Sequence, residues 1–337
     1  MKKIYIFIIA IVLIAGFVLT NTILERRHSE ISNIANKITC IAISDRNWQG
    51  EIKTWTWQEK LKELCSNNDL IALADTHHNA AIRAYAFEVL VKRGDPRYHN
   101  ILYNSLNDTA SFEILTSDTK CTDNVANYNV SLLTDIFGFS SIEDSLTLDS
   151  TLLHTPNMGH ISHLKHIVDH LSIEEQYYNR LYEIYSTEGV SYILPKLCLY
   201  CREELKNEVI KCLLEKDENT NSDICNGGVF KEKINIGLEA VAVWPHPDFI
   251  PTLIKIRDSG TLNKDNSNHK VRTFYLALMA YDDEQSYHII EKTLKTSAEN
   301  QDYYTYHEIS FGAAYKMNPK PRYKHFILSE EKQCIKP

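Results

Sequence analysis

The sequence has little of what several common architectures require. Eleven glycines and nine prolines in 337 residues leave no Gly-periodic framework and no Gly/Pro low-complexity tract, so collagen-like and generally disordered chains are excluded. Positive charge is not in surplus: 36 basic residues face 44 acidic ones, a formal net charge of −8. Without residues 1–24, which carry Lys2 and Lys3, 34 basic residues remain against 44 and the balance is −10. No global field favours a phosphate backbone, and nucleic acid is not an expected partner. Gly-x-Ser-x-Gly, Walker and GxGxxG motifs are missing, which removes the familiar catalytic signatures without excluding catalysis. What is present, 44% hydrophobic and 24% charged residues, is the composition of a folded protein of one large or two ordinary domains.

One long apolar run exists. Lys2 and Lys3 precede Ile4 to Leu19, and the run continues to Ile23 and Leu24 before Glu25, Arg26 and Arg27. Its length lies between the core of a cleavable signal peptide, about 7–15 residues, and a spanning helix of about 20. Val18-Leu19-Thr20 is a poor small-x-small cleavage site, and no lipid-accepting cysteine follows. These features favour an uncleaved inner-membrane anchor over a cleaved signal peptide. The two lysines put the N-terminus in the cytoplasm and the body outside it, in the periplasm, although Arg26 and Arg27 oppose that orientation.

The eight cysteines (40, 65, 121, 198, 201, 212, 225 and 334) allow about 105 pairings if all oxidise, so spacing fixes no bridge. Cys198 and Cys201 form a CxxC with neither a βαβ context for redox chemistry nor a second CxxC for zinc. Residues at i and i+3 share a helix face, and a buried stripe explains the pair.

Residues 79–92 place Ile82, Tyr85, Ala86, Val89 and Leu90 at helical spacing. Gly94-Asp95-Pro96 ends that helix, and a second one carries Tyr98, Ile101, Leu102 and Leu106 up to Asn107-Asp108. A lone hairpin cannot bury its stripe, so copies are expected. Pro247 and Pro321 are 74 apart, twice 37, with Glu284 midway. Seven residues before these marks stand Ala240, Ala277 and Ala314, six after stand Leu253, Ile290 and Ile327, and two before stand Pro245, Asp282 and Pro319. From Pro96 the same offsets give Val89, Leu102 and Gly94, and Pro96-Arg97-Tyr98 recurs as Pro321-Arg322-Tyr323. Ile82-Arg83 recurs as Val271-Arg272.

With Ile82-Arg83, the small Ala84 and Ala86, and a terminal Asn107-Asp108, the chain resembles the HEAT-repeat family, in particular exported bacterial HEAT-like proteins of unassigned function. The resemblance is good at 79–109 and fair at 232–330, and the 37-residue period is short beside about 40–47. It implies an all-α fold, an α-solenoid of helical hairpins, and transfers no catalytic residue. The expected organisation is a signal or anchor at 1–24, an unassigned juxtamembrane segment at 29–57, first repeats at 58–108, an irregular insertion at 109–141, middle helices at 142–215, a flexible connection at 216–230 and C-terminal repeats at 231–332.

Histidines supply one sharp candidate. His160, His163, His166 and His170 lie close together, and the last three fall within about 60° of one helix face. His at i and i+4 can chelate a transition metal such as zinc. The Glu of His-Glu-x-x-His is absent, so no general base stands where hydrolysis needs it. The same row also reads as a polar face opposite Ile161, Leu164, Ile167, Val168 and Leu171. Asp75-Thr76-His77-His78 reads as helix capping, and Asp282-Asp283-Glu284 and Asp217-Glu218 as solvated turns.

Two functions follow. One is a non-enzymatic scaffold, exported or membrane-anchored, that holds a protein or peptide of the cell envelope on stacked hairpins, with 19 tyrosines offering contact area. The other is an exported metal-dependent enzyme centred on His163, His166 and His170.

Overall fold

The computed structural model describes residues 2–47, 50–215, 233–262, 268–298 and 301–331. The flexible connection expected at 216–230 lies outside the described residues, as do the side chains of 2–12 and 14. The protein is mostly helical. It divides into two compact units, 1–148 with 160–163, and 149–159 with the described residues from 164 on.

In the first unit α1 (Lys2–Ala35) continues past the apolar run. Its last turns are docked: Ile31, Ile34 and Ala35 are buried, and Arg27 donates to the Leu64 carbonyl at 3.2 Å and pairs with Asp69. Among the described residues no helix is long and apolar enough to cross a membrane. The segment expected at 29–57 is therefore the end of α1, then β1 (Cys40–Ala42), the short hairpin β2 (Arg46–Asn47) and β3 (Gly50–Glu51), and the start of α2 (Lys53–Leu64). Next come α3 (Asn67–Thr76), α4 (Ala80–Lys92) and α5 (Tyr98–Ser105).

Helices α4 and α5 are the expected hairpin. Asn79 caps α4 by accepting from the Ala81 N–H at 2.9 Å. Gly94 takes φ 65° in the turn, a left-handed conformation that glycine adopts without penalty. The Ile82-Arg83 and Asn107-Asp108 pairs owe their place to one clamp. Arg83 donates from Nε and a terminal nitrogen to the two Asp108 oxygens at 2.6 and 2.8 Å, tying the start of the first helix to the end of the second. Although the spacing predicts one apolar face, α4 buries Ala81, Ile82, Ala84, Tyr85, Ala86, Phe87, Val89 and Leu90. The reason is that α2, α3, α5 and the strands surround it, and its alanines let them approach.

The insertion at 109–141 is not irregular. It forms β4 (Ser111–Leu115), β5 (Lys120–Asn124), α6 (Val125–Ser131) and a π-helical turn at Leu132–Phe137. Strand β4 pairs antiparallel with β5 and parallel with β1, Cys40 lying opposite Glu113. Parallel pairing needs a crossover, here the whole α2–α5 segment. Phe112 and Ile114 point inward while Ser111 and Glu113 are exposed. The free edge of β1 is closed by Gln58, whose Oε1 accepts from the Ala42 N–H at 2.9 Å, so it offers less template for further strands.

The chain continues through α7 (Ile142–His154), α8 (His163–His170), α9 (Glu175–Ser186), α10 (Leu194–Cys198) and α11 (Lys206–Leu214). In the second unit three pairs follow: α12 (Lys233–Val243) with α13 (Ile250–Asp258), α14 (Asn268–Tyr281) with α15 (Glu284–Ala298), and α16 (Gln301–Met317) with α17 (Lys324–Glu331). Helix α14 packs between α12 and α16. Ala240, Ala277 and Ala314 are fully buried, as small residues at a close helix contact should be. Pro247 and Pro321 each open a 3-10 turn before the second helix of the pair. Two residues after each mark, Phe249, Ser286 and Tyr323 are fully buried. Ser286 Oγ and the Tyr323 hydroxyl, one repeat apart, share a hydrogen bond of 2.9 Å, and Arg322 donates to Glu284 at 2.7 Å. Inside the stack Tyr275 and His307 are both buried and bonded at 2.8 Å.

Candidate binding face

His163, His166 and His170 do lie on one helix, α8, whose other side buries Leu164, Ile167 and Val168. The His166 and His170 rings are 4.2 Å apart, and His170 Nδ1 lies 2.8 Å from the His166 carbonyl oxygen. His160 lies outside the helix, its Nε2 3.1 Å from the Leu106 carbonyl. Among the described residues no three His, Cys, Asp or Glu side chains are grouped to hold a metal ion. The arrangement is the polar side of an amphipathic helix.

The CxxC pair departs from the expected shared stripe. Helix α10 stops at Cys198, and Cys201 sits beyond it in a left-handed conformation, φ 53°, with its side chain exposed. Burial pushes the Cys198 thiol up to about 12, so it is inert as a nucleophile at neutral pH. Both are free thiols, as are the buried Cys40, Cys65 and Cys212, whereas Cys121 is disulfide-bonded. Capping near residues 75–78 also falls to different groups than expected. Asp75 and Thr76 end α3 exposed, and the following N–H groups are met by His77 Nδ1, which accepts from Asn79 at 3.1 Å, and by the Asn79 side chain. Burial, then the neighbouring His78, lower the His77 pKa.

The surface with the most binding character was not singled out by any motif. Each first helix of the C-terminal pairs leaves one stripe uncovered. On α14, buried on its other sides, this stripe is His269, Arg272, Leu276 and Ala280. Stepping by 37 residues gives Glu239 and Val243 on α12, where the third position, Asn235, is buried, and Tyr306, Ile309, Ala313 and Met317 on α16. The positions eight and four residues before the repeat marks thus stay partly open on all three helices and form a grid across neighbours, and the repeat arithmetic alone could have found it. Its α16 edge is apolar and open, with Ile309 57% and Met317 64% exposed. Its centre is polar: a terminal nitrogen of Arg272 donates to His269 Nδ1 at 2.8 Å, and His269 Nε2 lies 3.8 Å from Glu239. Two atoms in this region are buried without a partner, Arg272 Nε and Asn235 Oδ1.

No family model, no curated protein and no solved structure matches the chain.

Proposed function

We propose that the protein is an exported, non-enzymatic α-solenoid of HEAT-like hairpins that holds a protein or peptide partner in the cell envelope. The observation that carries this reading is the grid: in three successive repeats the positions eight and four residues before the mark escape full burial, so stacking produces one continuous surface with an apolar edge and a polar centre, the form in which helical repeats present a binding face. Anchoring through Ile4–Leu24 is supported by the exposure of Leu13, Phe17, Val18, Leu19, Ile23 and Leu24, from 43% to 68%, on a helix whose other end is docked. Such apolar surface is favourable in lipid and costly in water. The Cys121 disulfide is consistent with an oxidising compartment.

The test uses the full chain in its own cells. A photo-crosslinking residue at Leu276 is expected to capture a partner that one at Lys295, exposed on α15, does not. The chain should also sediment with membranes, resist carbonate extraction, retain its N-terminal residues and be digested by protease added to spheroplasts. Equal capture at both positions, or none, overturns the binding face; a soluble protein starting near Glu25 overturns the anchor.

A further inference from the structure

We propose that the loop joining the π-helical turn to α7 inserts Ile136, Phe137, Ile142 and Leu146 into the surface of a lipid bilayer, beside the point where α1 enters it. This rests on the reading of Ile4–Leu24 as a membrane anchor and adds a second lipid contact, on the body of the first unit.

The four side chains are 42% to 80% exposed and fall within residues 136–146. Single exposed apolar residues need no explanation, whereas a cluster of large ones marks an interaction surface. The segment is built, not frayed. The Ser141 hydroxyl accepts from the Asp144 N–H at 3.1 Å and donates to the Asp144 carboxylate at 2.8 Å, fixing the start of α7. Ser140 and Tyr98 share a hydrogen bond of 3.0 Å. Gly138 takes φ 75°, a conformation open to glycine, and turns the chain between the two apolar pairs. On α7, Ile142 and Leu146 are one turn apart on the same face, while Leu148 is fully buried.

Contacts through the first unit place this loop at the foot of α1. Arg27 binds the Leu64 carbonyl and Asp69, at the junction of α2 and α3. That junction meets the turn between α4 and α5, where Asn67 donates to Asp95 at 2.7 Å and Arg97 to Asn68 at 2.7 Å. The next residue, Tyr98, holds Ser140. At the opposite end of the unit Asn79, the cap of α4, donates to the Ile38 carbonyl at 2.8 Å. Helix α1 therefore lies along the unit, and its earlier residues leave it at the end that carries the loop. Leu24, the last residue of the apolar run, precedes Arg27 by three residues, about 4.5 Å of helix. A bilayer that holds the run begins level with these turns and with the loop.

The occupant follows from that level, because what lies there is lipid. Asp135 and Glu143, exposed beside the patch, give no attraction to anionic headgroups. Apolar burial drives the contact, and a zwitterionic lipid suffices.

The experiment reconstitutes the full chain in phosphatidylcholine vesicles with a diazirine-bearing phenylalanine at Ile142 or at Thr109, which is exposed beside the Arg83–Asp108 clamp at the opposite end of the unit. After irradiation, peptide mass spectrometry should find phospholipid adducts at position 142 and few or none at 109. Ile136→Asp, in the chain with the probe at 142, should lower the adduct yield about fivefold, because a charge resists entry into the bilayer. The same variant should leave the melting temperature unchanged, since Ile136 is 65% exposed, whereas a residue packed within the fold would lower it. Carbonate extraction of the same vesicles reads the anchor separately. A chain that resists carbonate yet gives no lipid adduct at 142 overturns the inference and leaves the anchor standing. Adducts at 142 to a second copy of the chain, or equal lipid yields at both positions, overturn it too. A chain released by carbonate refutes the anchor, and the inference falls with it.

Discussion

Ala277 is the position at which the repeat register is most exposed to refutation. It is fully buried on α14, the helix held between α12 and α16, and its equivalents Ala240 and Ala314 are buried to the same degree. Ala277→Leu adds three heavy atoms where a neighbouring helix leaves no room. The gain from extra apolar area is unavailable without moving a helix, so overpacking dominates and the expected cost is about 1–3 kcal/mol. Ala280, three residues on, lies on the uncovered stripe and is half-buried. The same enlargement there should change stability by about 0.5 kcal/mol or less. Urea unfolding of the full chain in mild detergent, followed by circular dichroism, gives both values, and the comparison cancels anything common to the two variants. A similar midpoint for Ala277→Leu and the parent would show that the first helices do not touch at this offset, and the 37-residue register would fall with it.

His307 should make the second unit sensitive to acid. Burial lowers its pKa to about 4 from a usual 6.5, so the neutral ring contributes stability that is complete above pH 6.5 and lost as pH falls to about 4, on the order of 3 kcal/mol in all; His307→Gln should flatten that acid limb in denaturant titrations, and an unchanged limb refutes the assignment. Among the five described free cysteines only Cys201 is exposed, so brief maleimide treatment of native protein, read by peptide mass spectrometry, should label it and spare Cys40, Cys65, Cys198 and Cys212. Protein purified without a histidine tag should carry well under one zinc per chain by elemental analysis. A full equivalent that disappears in His166→Asn would instead favour the metal-dependent alternative.

Some features were legible in the amino-acid order because a local rule fixed them. The α4–α5 hairpin shows its apolar spacing and its Gly94-Asp95-Pro96 turn within thirty residues, and the small residues at 240, 277 and 314 recur at a fixed interval. The sheet followed no such rule. Strand β1 is three residues long, too short for an alternation to register, and its partner β4 lies a whole crossover away. The clamp of Arg83 on Asp108 was visible as a family-like signature but not as an ion pair, because only folding brings its two ends together. The histidine row drew attention by composition, and geometry turned it into the polar side of α8. The grid went unread for the opposite reason. Apolar offsets recur in residue type, whereas this face is defined by offsets that stay partly uncovered while their chemistry changes from Glu239 to Leu276 to Ala313.

The junction between the last two repeats has a consequence for how such an array can grow. Ser286 meets Tyr323 at the same repeat position, and Glu284 meets Arg322 one position out of step, so this seam joins unlike residues. A duplicated 37-residue unit inserted at this seam would bring Ser286 to a second serine and Glu284 to a copy of Gln285, a small hydroxyl pair leaving a void and an ion pair lost. Lengthening by simple copying is therefore penalised at this seam. The last two units are keyed to each other, and a copy of either would have to change at this position before it could join the stack.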